Sequence, residues 1–220
     1  MSGLVRPRIG MQNIPEETAN QLTHGLGLVL SMAGAAVLVS SAKQHSDRLQ
    51  FVGCCIYSAS LVALYAASTL SHSFQAPRAR YFFRMLDQVC IFLLITGTFT
   101  PFAFSYFVQG WLWGLTLTMW ALTCVGIFFK LCFRRMSNVA TGAYVLLAWI
   151  PVIAVHEIVR VMPFGGLALI VAGGALYMAG VYFLTHDEKV PYYHAVWHVL
   201  VVSASICHYC AVMFYVIPPA

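Results

Sequence analysis

No charged residue falls between Gln88 and Phe129. One membrane-spanning helix needs about 20 mostly apolar residues, so this run is about twice the length of a single span. A water-soluble domain has no place for such a stretch, whereas a pair of helices crossing a bilayer accounts for it, with Gln109-Gly110 as the natural hairpin. Composition extends the argument to the whole chain. Apolar residues make up 60% and charged residues only 9% of the 220, at a mean hydropathy of +0.80. These values exclude a soluble globular domain and define an integral membrane protein.

The same ruler divides the chain into seven spans, near 21–42, 50–74, 86–107, 111–133, 139–157, 164–185 and 192–216. The expected fold is all-α, a single seven-transmembrane helix bundle over residues 1–220. Pro101 and Pro151 fall inside spans and are expected to kink them. The N-terminal stretch carries Arg6, Pro7, Arg8 and Pro15 without an apolar core, so no cleaved signal peptide is expected there and the first span serves for insertion. Seven cysteines lie in or beside apolar runs, which argues against a secreted disulfide framework. Cys207-x-x-Cys210 has a redox or zinc spacing but no second pair to complete a site.

Basic residues set the orientation. Arg6, Arg8, Arg78, Arg80, Arg84, Lys130, Arg134, Arg135 and Lys189 collect on one side, and only Lys43, Arg48 and Arg160 on the other. Such a bias places the N-terminus in the cytoplasm and the C-terminus outside. The net charge of +5 is thereby a topological signal; no nucleic-acid partner is expected, and the partners are the lipid bilayer and its lipids.

Against this apolar background a few polar residues stand out. His194 and His198 are four apart, so on a helix both imidazoles reach one spot, a metal-ligand spacing. The assigned orientation puts Ser68 and His72 in the last turns of the second span, Asp87 at the start of the third, and His194 and His198 at the start of the seventh. All five share one depth near the cytoplasmic boundary. Ionisable groups in a membrane are costly and usually functional, although groups at the boundary can also reach interfacial water. Imidazole suits zinc, copper, nickel or iron; three histidines with an open position favour zinc. Asp87 is a fourth ligand or holds water at the metal, and Ser68 either reaches the same water or Asp87, or bonds back to its own helix. Glu17-x-x-Asn20-x-x-x-His24 stacks along one face of the first span, as a hydrogen-bonded string toward the metal or as a solvated helix start. His208, about 15 Å beyond His198, is not expected to be a ligand. Glu157 and Arg160 are expected to form a surface pair, and His45 and His186 to lie in loops.

Taken together, Glu17-x-x-Asn20-x-x-x-His24, Ser68-x-x-x-His72 with Asp87, and His194-x-x-x-His198 resemble the three motifs of the progestin and adipoQ receptor family, in particular its hemolysin III branch. The resemblance implies a seven-helix bundle with the N-terminus inside, in which His72, His194 and His198 ligate zinc and Asp87 and Ser68 hold the water there. It also implies one of two functions in the plasma or bacterial inner membrane. One is a zinc-dependent hydrolase of a lipid amide or ester, ceramidase-like, in membrane-lipid homeostasis. The other is a receptor-like sensor with a structural zinc. A pore-forming hemolysin has less support, because the spans offer few ionisable groups to line a path.

Overall fold

The computed structural model describes residues 14–108, 110–132 and 137–217. Among them, seven helical segments are long and apolar enough to cross a membrane. They are α1 (Ile14–His45), α2 (Arg48–Ser73), α3 (Pro77–Tyr106), α4 (Trp111–Cys132), a broken fifth span, α7 (Phe164–His186) and α8 (Tyr193–Tyr215). The fifth span is α5 (Ser137–Trp149), a 3-10 segment (Ile150–Ala154) and α6 (Val155–Val161). The seven-span multi-pass membrane architecture expected from the sequence is therefore present. Arg6, Pro7, Arg8, Gln109, Arg134 and Arg135 lie outside the described residues.

Three spans depart from expectation, the first of them α1, which already runs from Ile14 ahead of residue 21. α3 begins at Pro77, well before residue 86, because a proline at the first helical position is pre-organised for a helix. Its early basic residues are also accommodated in helical form, with Arg80 pairing with Glu17 of α1. Asp87 consequently lies in the third turn of α3 and not at its start. The fifth span breaks at Pro151, whose ring cannot sit in a regular α-helical interior. The chain tightens into the 3-10 segment and continues to Val161, past residue 157. Pro101, by contrast, sits inside a helix that runs on to Tyr106. Gly110 adopts φ 68°, the left-handed turn conformation expected of the α3–α4 hairpin. His45 and His186 are the last residues of α1 and α7 and not loop residues. Among the described residues Glu157 and Arg160 form no ion pair.

The helices pack as neighbours in the order α7, α8, α1, α2, α3, α4, with α5 against α3 and α4. One core cluster joins α1, α2, α3 and α8 through Leu38, Tyr57, Leu61, Tyr65, Leu94, Val201 and Val212. A second joins α3, α4 and α5 through Phe92, Phe99, Met119, Tyr144 and Leu147. Polar ties cross the helices where hydroxyls cannot reach water: Thr96 and Thr123 share a 2.6 Å hydrogen bond between α3 and α4, and the Tyr65 hydroxyl donates to Ser205 at 2.9 Å from α2 to α8. Outward-facing Leu22, Leu26, Leu146 and Phe164 remain exposed, as lipid-facing positions do.

α1 is wedged between α2 and α8 at Gly27. A Cβ there would lie 2.6 Å from the Tyr65 ring and 3.1 Å from Val202, so the close approach requires glycine. At its other end α2 is fixed by a capping box. Asp47 Oδ1 accepts from the backbone N–H of Leu49 (2.8 Å) and Gln50 (2.9 Å), and Gln50 Oε1 accepts from Asp47 N–H (3.3 Å). Asp47→Ala is expected to cost about 1 kcal/mol, read as a lowered thermal unfolding midpoint in detergent. An unchanged midpoint would mean that the cap contributes nothing.

Candidate metal centre

Ligand spacing and burial meet at the end of the bundle where α1, α3 and α8 begin and α2 ends. One ring nitrogen from each of His72, His194 and His198 lies within 4.8 Å of one from each of the others. His72 and His198 are buried and His194 is partly exposed. His72 comes from the last turn of α2, and the other two from the first turns of α8.

The hydrogen bonds decide which nitrogen each ring offers. His72 Nδ1 lies 2.8 Å from Glu17 Oε2, and His194 Nδ1 lies 2.7 Å from Asp187 Oδ2. His198 Nδ1 lies 3.1 Å from the backbone carbonyl of Asn20 and 3.1 Å from Thr23 Oγ1. Carboxylates and carbonyls only accept, so each Nδ1 carries the proton and donates. The Thr23 hydroxyl is itself turned toward the Ala19 and Asn20 carbonyls, leaving its oxygen to accept from His198. Each Nε2 is then left with a bare lone pair, on rings whose nitrogens approach within 4.8 Å of one another. This is the arrangement of metal-binding histidines, whose other ring nitrogen is oriented by a carboxylate or carbonyl. Imidazole nitrogens sharing one tetrahedral zinc stand roughly 3.3 Å apart, given zinc–nitrogen bonds of about 2.0 Å. From within 4.8 Å the ring nitrogens would draw together by up to about 1.5 Å to share one ion.

Ser68 is fully buried one turn before His72. Its side chain hydrogen-bonds Asp87 and lies 2.6 Å from His24 Nδ1. Ser68 has a single proton and a carboxylate can only accept, so Ser68 donates to Asp87 and accepts from His24 Nδ1–H. His24 stacks on His198 with ring centroids 3.5 Å apart, and its Nε2 is buried without a partner. Among the described hydrogen bonds the Ser68 hydroxyl turns to His24 of α1 and not back to its own helix.

Glu17, Asn20 and His24 all face the site from α1, but not as a string along one helix. Glu17 reaches His72 and His24 reaches Ser68, both on α2, while Asn20 reaches His198 on α8. Asn20 does so with its backbone carbonyl, and its side-chain Oδ1 has no partner. Glu17 is also held by Arg80, with Arg84 3.9 Å away. His208 is spent elsewhere, donating from Nε2 to the Ile170 carbonyl at 3.2 Å. Cys207 and Cys210 are free thiols.

Sequence reasoning did not single out Asp187 or Thr23. Asp187 follows the end of α7, and the turn between α7 and α8 separates it from His194. A carboxylate just ahead of a two-histidine helix was the available signal.

The fold and site define a seven-span helical membrane protein with a three-histidine cluster able to hold a metal ion. The chain belongs to the haemolysin-III-related family, whose model matches residues 12–209, and with it to the hemolysin III branch of the progestin and adipoQ receptors. It is 36% identical to Hemolysin-3 of Bacillus cereus over 95% of both chains. It is 32% identical to the Hemolysin-3 homolog of Bacillus subtilis (strain 168), over 93% of this chain and 96% of the relative. The human monocyte to macrophage differentiation factor is 26% identical over 91% of this chain and 84% of its own.

Proposed function

We propose that His72, His194 and His198 hold zinc, and that the protein is a zinc-dependent hydrolase of a lipid amide or ester bond, serving membrane-lipid homeostasis in the plasma or bacterial inner membrane. The observation that carries this reading is the commitment of all three Nδ1 atoms to acceptors, which leaves a free Nε2 lone pair on each of three rings that meet within 4.8 Å, with the half-buried Asp87 carboxylate near His194. When bound, zinc supplies Lewis acidity, bringing the pKa of water down to about 7 and polarising a carbonyl.

The chain's own residues supply proton handling and position. Asp87 uses one lone pair on Ser68 and keeps others to accept a proton from the attacking water and return it to the leaving group. Ser68 fixes the rotamer of Asp87 and is itself fixed by His24. With its one proton given to Asp87, and in a regular helix lacking a strained elbow, Ser68 is a positioning residue and not a nucleophile. The basic residues assign this end of the bundle to the cytoplasmic side, and a lipid substrate reaches it laterally from the bilayer.

A second reading has its own supporting observation. The ligands come from α2 and α8, which pack chiefly through α1 and meet directly at ties such as the Tyr65–Ser205 hydrogen bond. A zinc ion across them would staple the bundle, as a sensor or receptor-like protein with a structural metal requires.

Metal content of purified wild type and His198→Ala by plasma emission spectrometry, with mass-spectrometric detection of fatty acid released from mixed lipids, separates the readings. Zinc near one per chain, lost in the variant together with fatty-acid release, is the expected result. Zinc lost while wild type releases nothing from any lipid would replace the hydrolase with the stapled sensor. Zinc absent from folded wild type would overturn both.

A further inference from the structure

The three histidines are not held alike. His72 is 4% exposed, and its acceptor Glu17 is 6% exposed and pinned by Arg80. His198 is buried, bonded to a helix carbonyl that cannot rotate away, and covered by the stacked ring of His24. His194 is 31% exposed, and its acceptor Asp187 is 23% exposed. Asp187 belongs to no helix: it caps the end of α7 and opens the turn into α8.

That turn has few fastenings. Lys189 and Val190 N–H donate to the His186 carbonyl at 3.0 and 3.3 Å, and Tyr193 N–H to Val190 at 3.4 Å. Its one tie to another helix among the described hydrogen bonds is Tyr192 N–H to Glu16 Oε1 of α1, at 3.2 Å. Tyr192, immediately before α8, has φ 63°. A non-glycine residue in the left-handed region costs roughly 1 kcal/mol or more and persists only where its surroundings hold it. The step into the histidine helix is therefore under strain, and among the described hydrogen bonds its backbone is fastened to α1 by the half-buried Glu16 carboxylate.

Ligands leave a metal ion one at a time, beginning with the ring least fixed by its surroundings. Resting on the reading of the cluster as a metal site, we propose that Asp187 is the positioning residue that controls metal exchange. It holds His194 as the releasable ligand, and the turn between α7 and α8 is the gate through which the ion enters and leaves. Loss of such an acceptor typically weakens metal binding 10–100-fold. Glu16 belongs to the same device although it touches no ligand, because it fixes the backbone at Tyr192.

The test uses the full chain in detergent, loaded with zinc and mixed with excess chromophoric chelator, with zinc transfer followed in time. Asp187→Ala is expected to release zinc about 10–100-fold faster than wild type, Asp187→Glu to restore most of the slow release, and Glu16→Ala to accelerate it severalfold. Glu188→Ala removes an exposed neighbouring charge and is expected to release at the wild-type rate. Cobalt(II) bound in place of zinc is expected to show an altered visible spectrum in Asp187→Ala, which a purely structural role would leave alone. Should Asp187→Ala not fold, Asp187→Asn keeps an acceptor of the same shape and is expected to fall between wild type and the alanine rates. Wild-type release rates in Asp187→Ala or Asp187→Asn, or equal acceleration by Glu188→Ala, would overturn the gate and leave the metal site standing. Failure of wild type to bind zinc or cobalt would overturn both.

Discussion

Glu17→Ala is expected to lower zinc affinity by about 100-fold and stability by about 3 kcal/mol. Two losses combine at this position. His72 Nδ1–H loses the acceptor that fixes its ring, so its Nε2 no longer points reliably at the other two histidines. Arg80, whose side chain is 20% exposed, loses its ion pair with Glu17, and breaking one partner out of a largely buried pair costs more than the intact pair contributes. Glu17→Gln separates the effects. It retains a neutral acceptor for His72 but ends the Glu17–Arg80 ion pair, so it should keep more of the metal affinity than of the stability. Competition titration with a zinc chelator and thermal unfolding in the same detergent measure the two quantities. Wild-type affinity in Glu17→Ala would mean that His72 is oriented by something other than Glu17.

Asp87→Asn addresses chemistry instead of assembly. Asparagine keeps an oxygen that accepts the Ser68 hydrogen bond and occupies nearly the same volume, so fold and metal content should be retained. It cannot accept a proton. For the hydrolase proposed here, the loss of general acid–base catalysis corresponds to a fall in turnover of about 1,000-fold, within the usual range of 100 to 10,000. Turnover at the wild-type rate, with zinc still near one per chain, would remove Asp87 from the mechanism. Loss of zinc in the same variant would instead make Asp87 a ligand, the alternative left open by its residue type alone.

The spans were readable because lipid imposes both a length and a composition on every helix. The errors fall where a second force acts. The start of α3 was hidden because Arg78, Arg80 and Arg84 resemble a loop, and only the contact between Arg80 and Glu17 makes a charged helix start intelligible. The end of the fifth span was misjudged because periodicity does not reveal how a chain continues beyond Pro151. At the site, the four-residue spacing of His194 and His198 and the common depth of Ser68, His72 and Asp87 were visible in one dimension. So was the shared face of Glu17, Asn20 and His24. Which helix each would meet was not, since that depends on how α1 lies between α2 and α8. Asn20 was legible as a residue, but its role falls to a backbone carbonyl that every residue possesses. Asp187 depends on the path of a turn, which leaves no periodic trace.

The wedge of α1 between α2 and α8 also bears on how the protein is made. α1 and α2 leave the ribosome long before α8, so during synthesis Glu17, Asn20 and His24 are in place while two of the three histidines are still to come. A chain halted after α7 holds one of the three clustered histidines, His72, and the groove beside Gly27 stands open to lipid. Closure of the cluster therefore waits for α8, and an ion held by all three rings, as proposed above, would require α8 to be in place.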